Sequence, residues 1–186
     1  MQSQSKNVLL VSAIVLIAAA TRLIPHPMNF APLGAMALFG AAYFGKRGLG
    51  LLLTMGAWFL SDLFLNNVVY SMGSEFTLFT PGSFFIYGSI VLIFLLGSSF
   101  LKQITLPRIL GGSLMASAIF FTFSNLGVWM QGTMYPMTGG GLVACYAAAI
   151  PFLKFTILGD LCYSGVLFVA YERIFKEQLK GEEVRK

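Results

Sequence analysis

Charge is what this sequence has least of. Of its 186 residues only 10% are Asp, Glu, Lys or Arg, while 57% are hydrophobic. A soluble domain carries roughly 25% charged residues, so these few cannot cover a water-facing surface, and a soluble globule is excluded. Disorder is excluded too, because it needs low hydrophobicity and the mean hydropathy here is +0.80. Two cysteines, Cys145 and Cys162, make no disulfide framework. The single histidine, His26, cannot build a zinc site, which needs three or four clustered ligands. A Walker lysine motif, H-E-x-x-H, G-x-S-x-G and C-x-x-C are all absent. An enzyme is therefore not expected, and neither is ATP hydrolysis by the chain itself. Any energy coupling would come from a partner or an ion gradient.

What is there is a series of apolar runs. A span takes about 20 residues and a short loop about 10, so the length accommodates about six spans in one integral membrane domain, residues 1–186. Segment one runs from Val8 to Leu23. It also reads as a signal peptide, with Lys6 as n-region, Val8 to Ile17 as h-region and Ala18-Ala19-Ala20 as cleavage site. Segment two runs from Ala31 to Phe44, with Pro32 in a first turn where its missing N–H needs no partner. Segments three, four and five cover Gly48 to Leu65, Phe84 to Leu101 and Ile109 to Met130. Segment six covers Pro151 to Ile174. The apolar piece before it, Leu142 to Ile150, is too short to span and reads as a re-entrant or interfacial half-helix. The expectation is an all-α membrane protein of six transmembrane helices plus that half-helix.

The basic residues set the orientation. With six spans, Lys6, Lys46, Arg47, Lys102, Arg108, Arg173, Lys176, Lys180, Arg185 and Lys186 fall on one side and only Arg22 on the other. The positive-inside rule then puts both termini in the cytoplasm. Nucleic acid is not an expected partner, because these charges sort by membrane side. The outer loops, Ile24 to Phe30, Asn66 to Ser83 and Gln131 to Gly141, are nearly uncharged and rich in proline and aromatics. Such loops suit either a lid over a small-molecule pocket or an interfacial aromatic belt. Met28, Met72, Met130, Met134 and Met137 share that side, but their spacing is irregular. They read as packing residues, with no metal or cofactor expected.

Polar groups at membrane depth cost about 2.5–3.5 kcal/mol each when charged, so they have a partner or a task. Trp58, Asp62 and Asn66 are spaced by four and share a helix face, as do Thr156, Asp160 and Ser164. Lys154 is turned about 120° from Asp160 around the helix, and Asp62, at similar depth, is its expected partner. Asp160 has no evident basic partner and is expected to hydrogen-bond to a neighbouring helix. Asn125 and Trp129 lie four apart in the outer half of segment five. They can read and stack on a substrate, or Asn125 can bridge helices. Arg22 ends segment one, placed to reach head groups, an anionic substrate or an Asp.

The run from Ala37 to Gly48, Ala-Leu-Phe-Gly-Ala-Ala-Tyr-Phe-Gly-Lys-Arg-Gly, continues into Ser61-Asp62-Leu63-Phe64. It resembles the "LFGpxxGxxxGxxxxxxxDL" stretch of the substrate-binding S components of energy-coupling-factor (ECF) vitamin transporters. Chain length, six short helices and a last span opening with Ile150-Pro151-Phe152 are similar too. Arg22-Leu23-Ile24-Pro25-His26-Pro27-x-Asn29-Phe30 also resembles a group of uncharacterised bacterial membrane proteins. One feature departs from the S components: the Ala-x-x-x-Ala docking pattern of their first helix is missing, since Ile17 follows Ala13 and Arg22 follows Ala18. The resemblance implies capture of a vitamin-like molecule or metal chelate from outside, with an energising membrane partner or ATPase module. The expected pocket residues are Arg22, His26, Asn29, Asp62, Asn125, Trp129 and Lys154, under the loop Ile24 to Phe30. The alternative is a structural membrane subunit that binds protein partners and no small molecule.

Overall fold

A computed structural model describes residues 2–44, 48–70 and 75–175. Among these every regular element is helical: α1 (Gln2–Ala20), α2 (Leu33–Phe44), α3 (Leu49–Phe64), α4 (Ser83–Phe100), α5 (Leu106–Met130) and α6 (Gly139–Ala170). A 3₁₀ turn, Thr21–Leu23, ends α1, and two π turns, Leu65–Val69 and Tyr171–Phe175, prolong α3 and α6. Lys46, Arg47, Met72, Lys176, Lys180, Arg185 and Lys186, to which the sequence assigns roles, lie outside the described residues.

Four helices are long and apolar enough to cross a membrane: α3 with its π turn, α4, α5 and α6. The stretches Val8–Leu23 and Leu33–Phe44 are shorter apolar helices. At 1.5 Å per residue, the 12 residues of α2 rise about 18 Å, well short of a hydrocarbon core of about 30 Å.

Short as it is, α2 occupies the middle. Every residue from Leu33 to Ala41 is buried, and the helix packs on α1, α3, α4, α5 and α6. A helix apolar on all sides has no face to offer water, so it is surrounded by others. At one end of the bundle Phe39 and Tyr43 meet Phe168 and Tyr171 ring to ring. There the Tyr43 hydroxyl donates to Glu172 Oε1 at 2.9 Å.

The half-helix expected at Leu142 to Ile150 is not a separate element. It forms the first part of α6, which runs unbroken through Pro151. Pro151 removes one backbone donor and crowds the preceding turn, a cause of bending but not always of termination. The contacts of α6 with α5 call for such a bend. Cys145 Sγ donates to the Asn125 carbonyl, and Ser117 Oγ donates to Asp160 Oδ2. Between those contacts α5 advances 8 residues, about 12 Å, and α6 advances 15, about 22 Å. Over this stretch α6 therefore takes the longer path, with Pro151 inside it. Thr138 Oγ1 caps the start of α6 by accepting the Gly141 N–H at 3.1 Å.

Candidate functional site

The site begins where α1 stops. The 3₁₀ turn after Ala20 aims Arg22 at α3. Its Nη2 donates to Asp62 Oδ1 at 2.6 Å. Its Nη1 donates to the Trp58 carbonyl at 3.3 Å and to Ser61 Oγ. The guanidinium lies 3.5 Å from the centre of the Trp58 ring, a cation–π contact. The Tyr87 hydroxyl of α4 donates to the other Asp62 oxygen at 3.3 Å. Arg22 and Asp62 are mostly buried, with 12% and 20% of their side chains exposed.

The partner of Asp62 is thus Arg22, and the expected Asp62–Lys154 pair does not form. The reason is topological. α2 packs on both α3 and α6 and stands between them, so similar depth does not bring Asp62 and Lys154 together. Lys154 is exposed on α6, its ammonium 4.9 Å from the Phe155 ring centre.

Beside this network the chain from Ile24 to Pro32 carries no regular structure apart from one tight turn, in which the Phe30 N–H donates to the Pro27 carbonyl. Asn29 takes the left-handed conformation, φ 64°, which Asn tolerates better than most residues. The segment reaches α6 at Gly159. A Cβ there would come 3.1 Å from the Ala31 nitrogen and 3.3 Å from the Phe30 Cα, so a larger residue would have to push the chain back by a few tenths of an ångström.

Where α2 starts, its first N–H groups have no partner within the helix. Asp160 of α6 supplies one, accepting from the backbone N–H of Gly34 and of Ala35. Its Oδ2 also accepts from Ser117 Oγ of α5 at 2.7 Å. The expected bond to a neighbouring helix is there, and a second bond to the α2 terminus joins it. A Cβ at Gly34 would fall on the Asp160 carboxyl group, so the cap depends on glycine. One turn further, Ser113 Oγ donates to Ser164 Oγ at 2.8 Å and continues the polar seam between α5 and α6.

These elements enclose a cavity of about 330 Å³. Arg22, His26, Met28, Asn29 and Ala31 line it from the chain after α1, and Leu33 and Gly34 from the start of α2. Trp58, Leu65 and Tyr70 come from α3 and its π turn, Ile86 from α4, Phe120 from α5, and Thr156 and Asp160 from α6. Single π turns inside helices recur at functional sites, and this one forms part of the rim. Trp58 is 5% exposed, and its Nε1 is a buried donor with no partner among the described residues.

Of the seven residues expected at a pocket, Arg22, His26 and Asn29 line this cavity. Asp62 stands behind Arg22 as its counter-charge. The other three are elsewhere. Asn125 Nδ2 donates to the Phe121 carbonyl of its own helix. Trp129 Nε1 donates to the Pro136 and Thr138 carbonyls and closes the α5–α6 turn. Lys154 faces outward. Trp58, Thr156 and Asp160 take their place. Both polar stripes were visible as four-residue spacings, whereas nothing in the sequence marks Gly34 as the seat of a carboxyl group. Groups of three or more His, Cys, Asp or Glu able to hold a metal ion are absent among the described residues.

No curated protein and no solved structure matches this chain. Residues 2–181 match a family of unknown function, DUF6580, and the chain, matched over nearly its whole length, belongs to that family.

Proposed function

We propose that this chain is a substrate-binding integral membrane transport protein that captures a small molecule from the outer side of a bacterial cytoplasmic membrane. The carrying observation is the cavity. It is walled by the five helices α2 to α6 and by the chain from Arg22 to Ala31, and it brings Arg22, His26, Asn29, Trp58, Thr156 and Asp160 together among apolar side chains. Ligand pockets are largely apolar concavities of about 300–1,000 Å³ with a few convergent polar groups. The resemblance of the Ala37–Phe64 region to ECF S components supports the same reading. A cavity of this volume suits a compact molecule and not a bulky metal chelate.

Six crossings follow if α1 and α2 also traverse the membrane. The shortness of α2 is then accounted for by the irregular chain before it. Non-helical backbone is tolerated at membrane depth only where protein or a cavity shields it, and here Gly159 and Asp160 do so. A helix that starts inside the bundle with its N–H groups turned to a cavity is a recurring feature of transporter sites. The ten-to-one basic asymmetry supports cytoplasmic termini, with the cavity's end then facing outward. Energy would come from a membrane partner or ATPase module docked elsewhere than on an Ala-x-x-x-Ala helix one, or from an ion gradient.

Access from outside is testable with Ala31→Cys in a chain whose Cys145 and Cys162 are replaced. A small membrane-impermeant methanethiosulfonate added to intact cells should modify position 31. Modification only after the cytoplasmic face is opened to the reagent would refute capture from the outer side.

A further inference from the structure

A second concavity lies where α4 ends and α5 begins. Ser99, Phe100, Lys102, Gln103 and Arg108 line a groove of about 310 Å³. Its four polar side chains are all hydrogen-bond donors, two of them are cations, and no acid lines it. Among the described residues neither Lys102 nor Arg108 has an ion-pair partner, and none of the four side chains is held by a hydrogen bond. Two like charges beside one groove repel each other, and an anion between them relieves that repulsion. The planar fork of Arg108 and the point charge of Lys102 both suit phosphate oxygens. The depth of the groove narrows the source of the phosphate. α4 and α5 are both long and apolar enough to cross a membrane, and the groove joins their ends, the level at which head groups lie. On α4, Leu92 and Leu95 precede Ser99 by seven and four residues and share its face. Both are exposed. An apolar strip therefore runs from the groove about 10 Å along the helix toward the membrane interior. A soluble anion would use the groove alone, whereas a phospholipid uses groove and strip together.

We propose that this groove binds the phosphate of an anionic phospholipid, whose acyl chains lie along Leu92 and Leu95. The site is separate from the cavity and does not depend on the function proposed for it. A zwitterionic lipid is the poorer ligand, because its ammonium group meets no acid there. Native mass spectrometry of the full-length protein in a neutral detergent, titrated with phosphatidylglycerol or with phosphatidylcholine of the same chains, tests this. Phosphatidylglycerol should bind about twentyfold more tightly, since each basic group near a membrane surface contributes a factor of about five. Lys102→Gln and Arg108→Gln should each reduce the preference about fivefold, and the double variant should show almost none. These side chains hold no other group in place, so the variants should keep the thermal midpoint of the wild type. Lys154→Gln removes an exposed cation of α6 outside the groove and should leave the preference unchanged. A wild type without the preference, or a double variant that retains it, would overturn the proposal. So would an equal loss in Lys154→Gln, which would reduce the effect to net charge. Glycerol phosphate at millimolar concentration separates the two sources of phosphate. It should leave phosphatidylglycerol bound, and full displacement would overturn the lipid assignment in favour of a soluble phosphate.

Discussion

Arg22 and Asp62 form a mostly buried ion pair at 2.6 Å, and it ties the end of α1 to α3. Removing one partner of a mostly buried pair leaves the other uncompensated, a loss of about 3–5 kcal/mol when burial is complete and about 1–3 kcal/mol at the partial exposure seen here. Asp62→Asn and Arg22→Met should each lower stability by that amount, and the double variant should lose less than the sum. Lys154→Met should change it by under about 0.5 kcal/mol, as surface substitutions do. Denaturation of the four variants in mild detergent checks this; additive single losses would contradict the pair. Gly34→Ala is the second residue-scale prediction. The added methyl collides with the Asp160 carboxyl group, so the substitution should cost about 1–3 kcal/mol, the usual price of overpacking. Combining it with Asp160→Ser, which clears the space, should cost less than the two changes added. Three of the seven expected site residues line the cavity because a charge or a turn residue at a helix end is visible in the sequence. Partner choice was not legible for Asp62. Depth along a helix can be counted from sequence, but which helix stands between two others cannot.

Among the elements, α3, α4 and α5 begin and end within a few residues of the apolar runs that announce them: Gly48 to Leu65 against Leu49–Phe64, Phe84 to Leu101 against Ser83–Phe100, Ile109 to Met130 against Leu106–Met130. Their boundaries coincide with Gly48, Gly82 and Pro107, residues that end or start helices for local reasons. The start of α6 was misjudged because Pro151 reads as a first-turn proline when only the chain is seen. In the fold the interior position is tolerated, and α6 runs through it unbroken. Pro151→Ala restores a backbone donor and removes the steric cause of bending. It should straighten α6 and loosen the Ser117–Asp160 contact, which holds the Asp160 carboxyl group at the start of α2. Hydrogen exchange should then show reduced protection of the Gly34 and Ala35 amides. Unchanged protection there would mean that Pro151 does not set the α6 direction.

For the molecule as a whole, composition already pointed to a membrane chain, because 10% charge is far below the roughly 25% of a soluble domain, and four helices are long and apolar enough to cross. The proposed orientation rests on the basic asymmetry and is tested by single cysteines in a background without Cys145 and Cys162. Positions 78 and 134, exposed at one end of the bundle, should react with an impermeant maleimide on intact cells, and position 103 should not. Reaction at 103 alone would invert the topology. The claim on which the rest depends is that the cavity under Ile24–Pro32 holds a small molecule. Native mass spectrometry of the protein released from mild detergent tests it directly. The account predicts one small-molecule adduct per chain on the wild type and its loss in Ala31→Trp, which fills the cavity from the loop side. A wild type that carries no adduct, or an adduct that persists unchanged in Ala31→Trp, would contradict it.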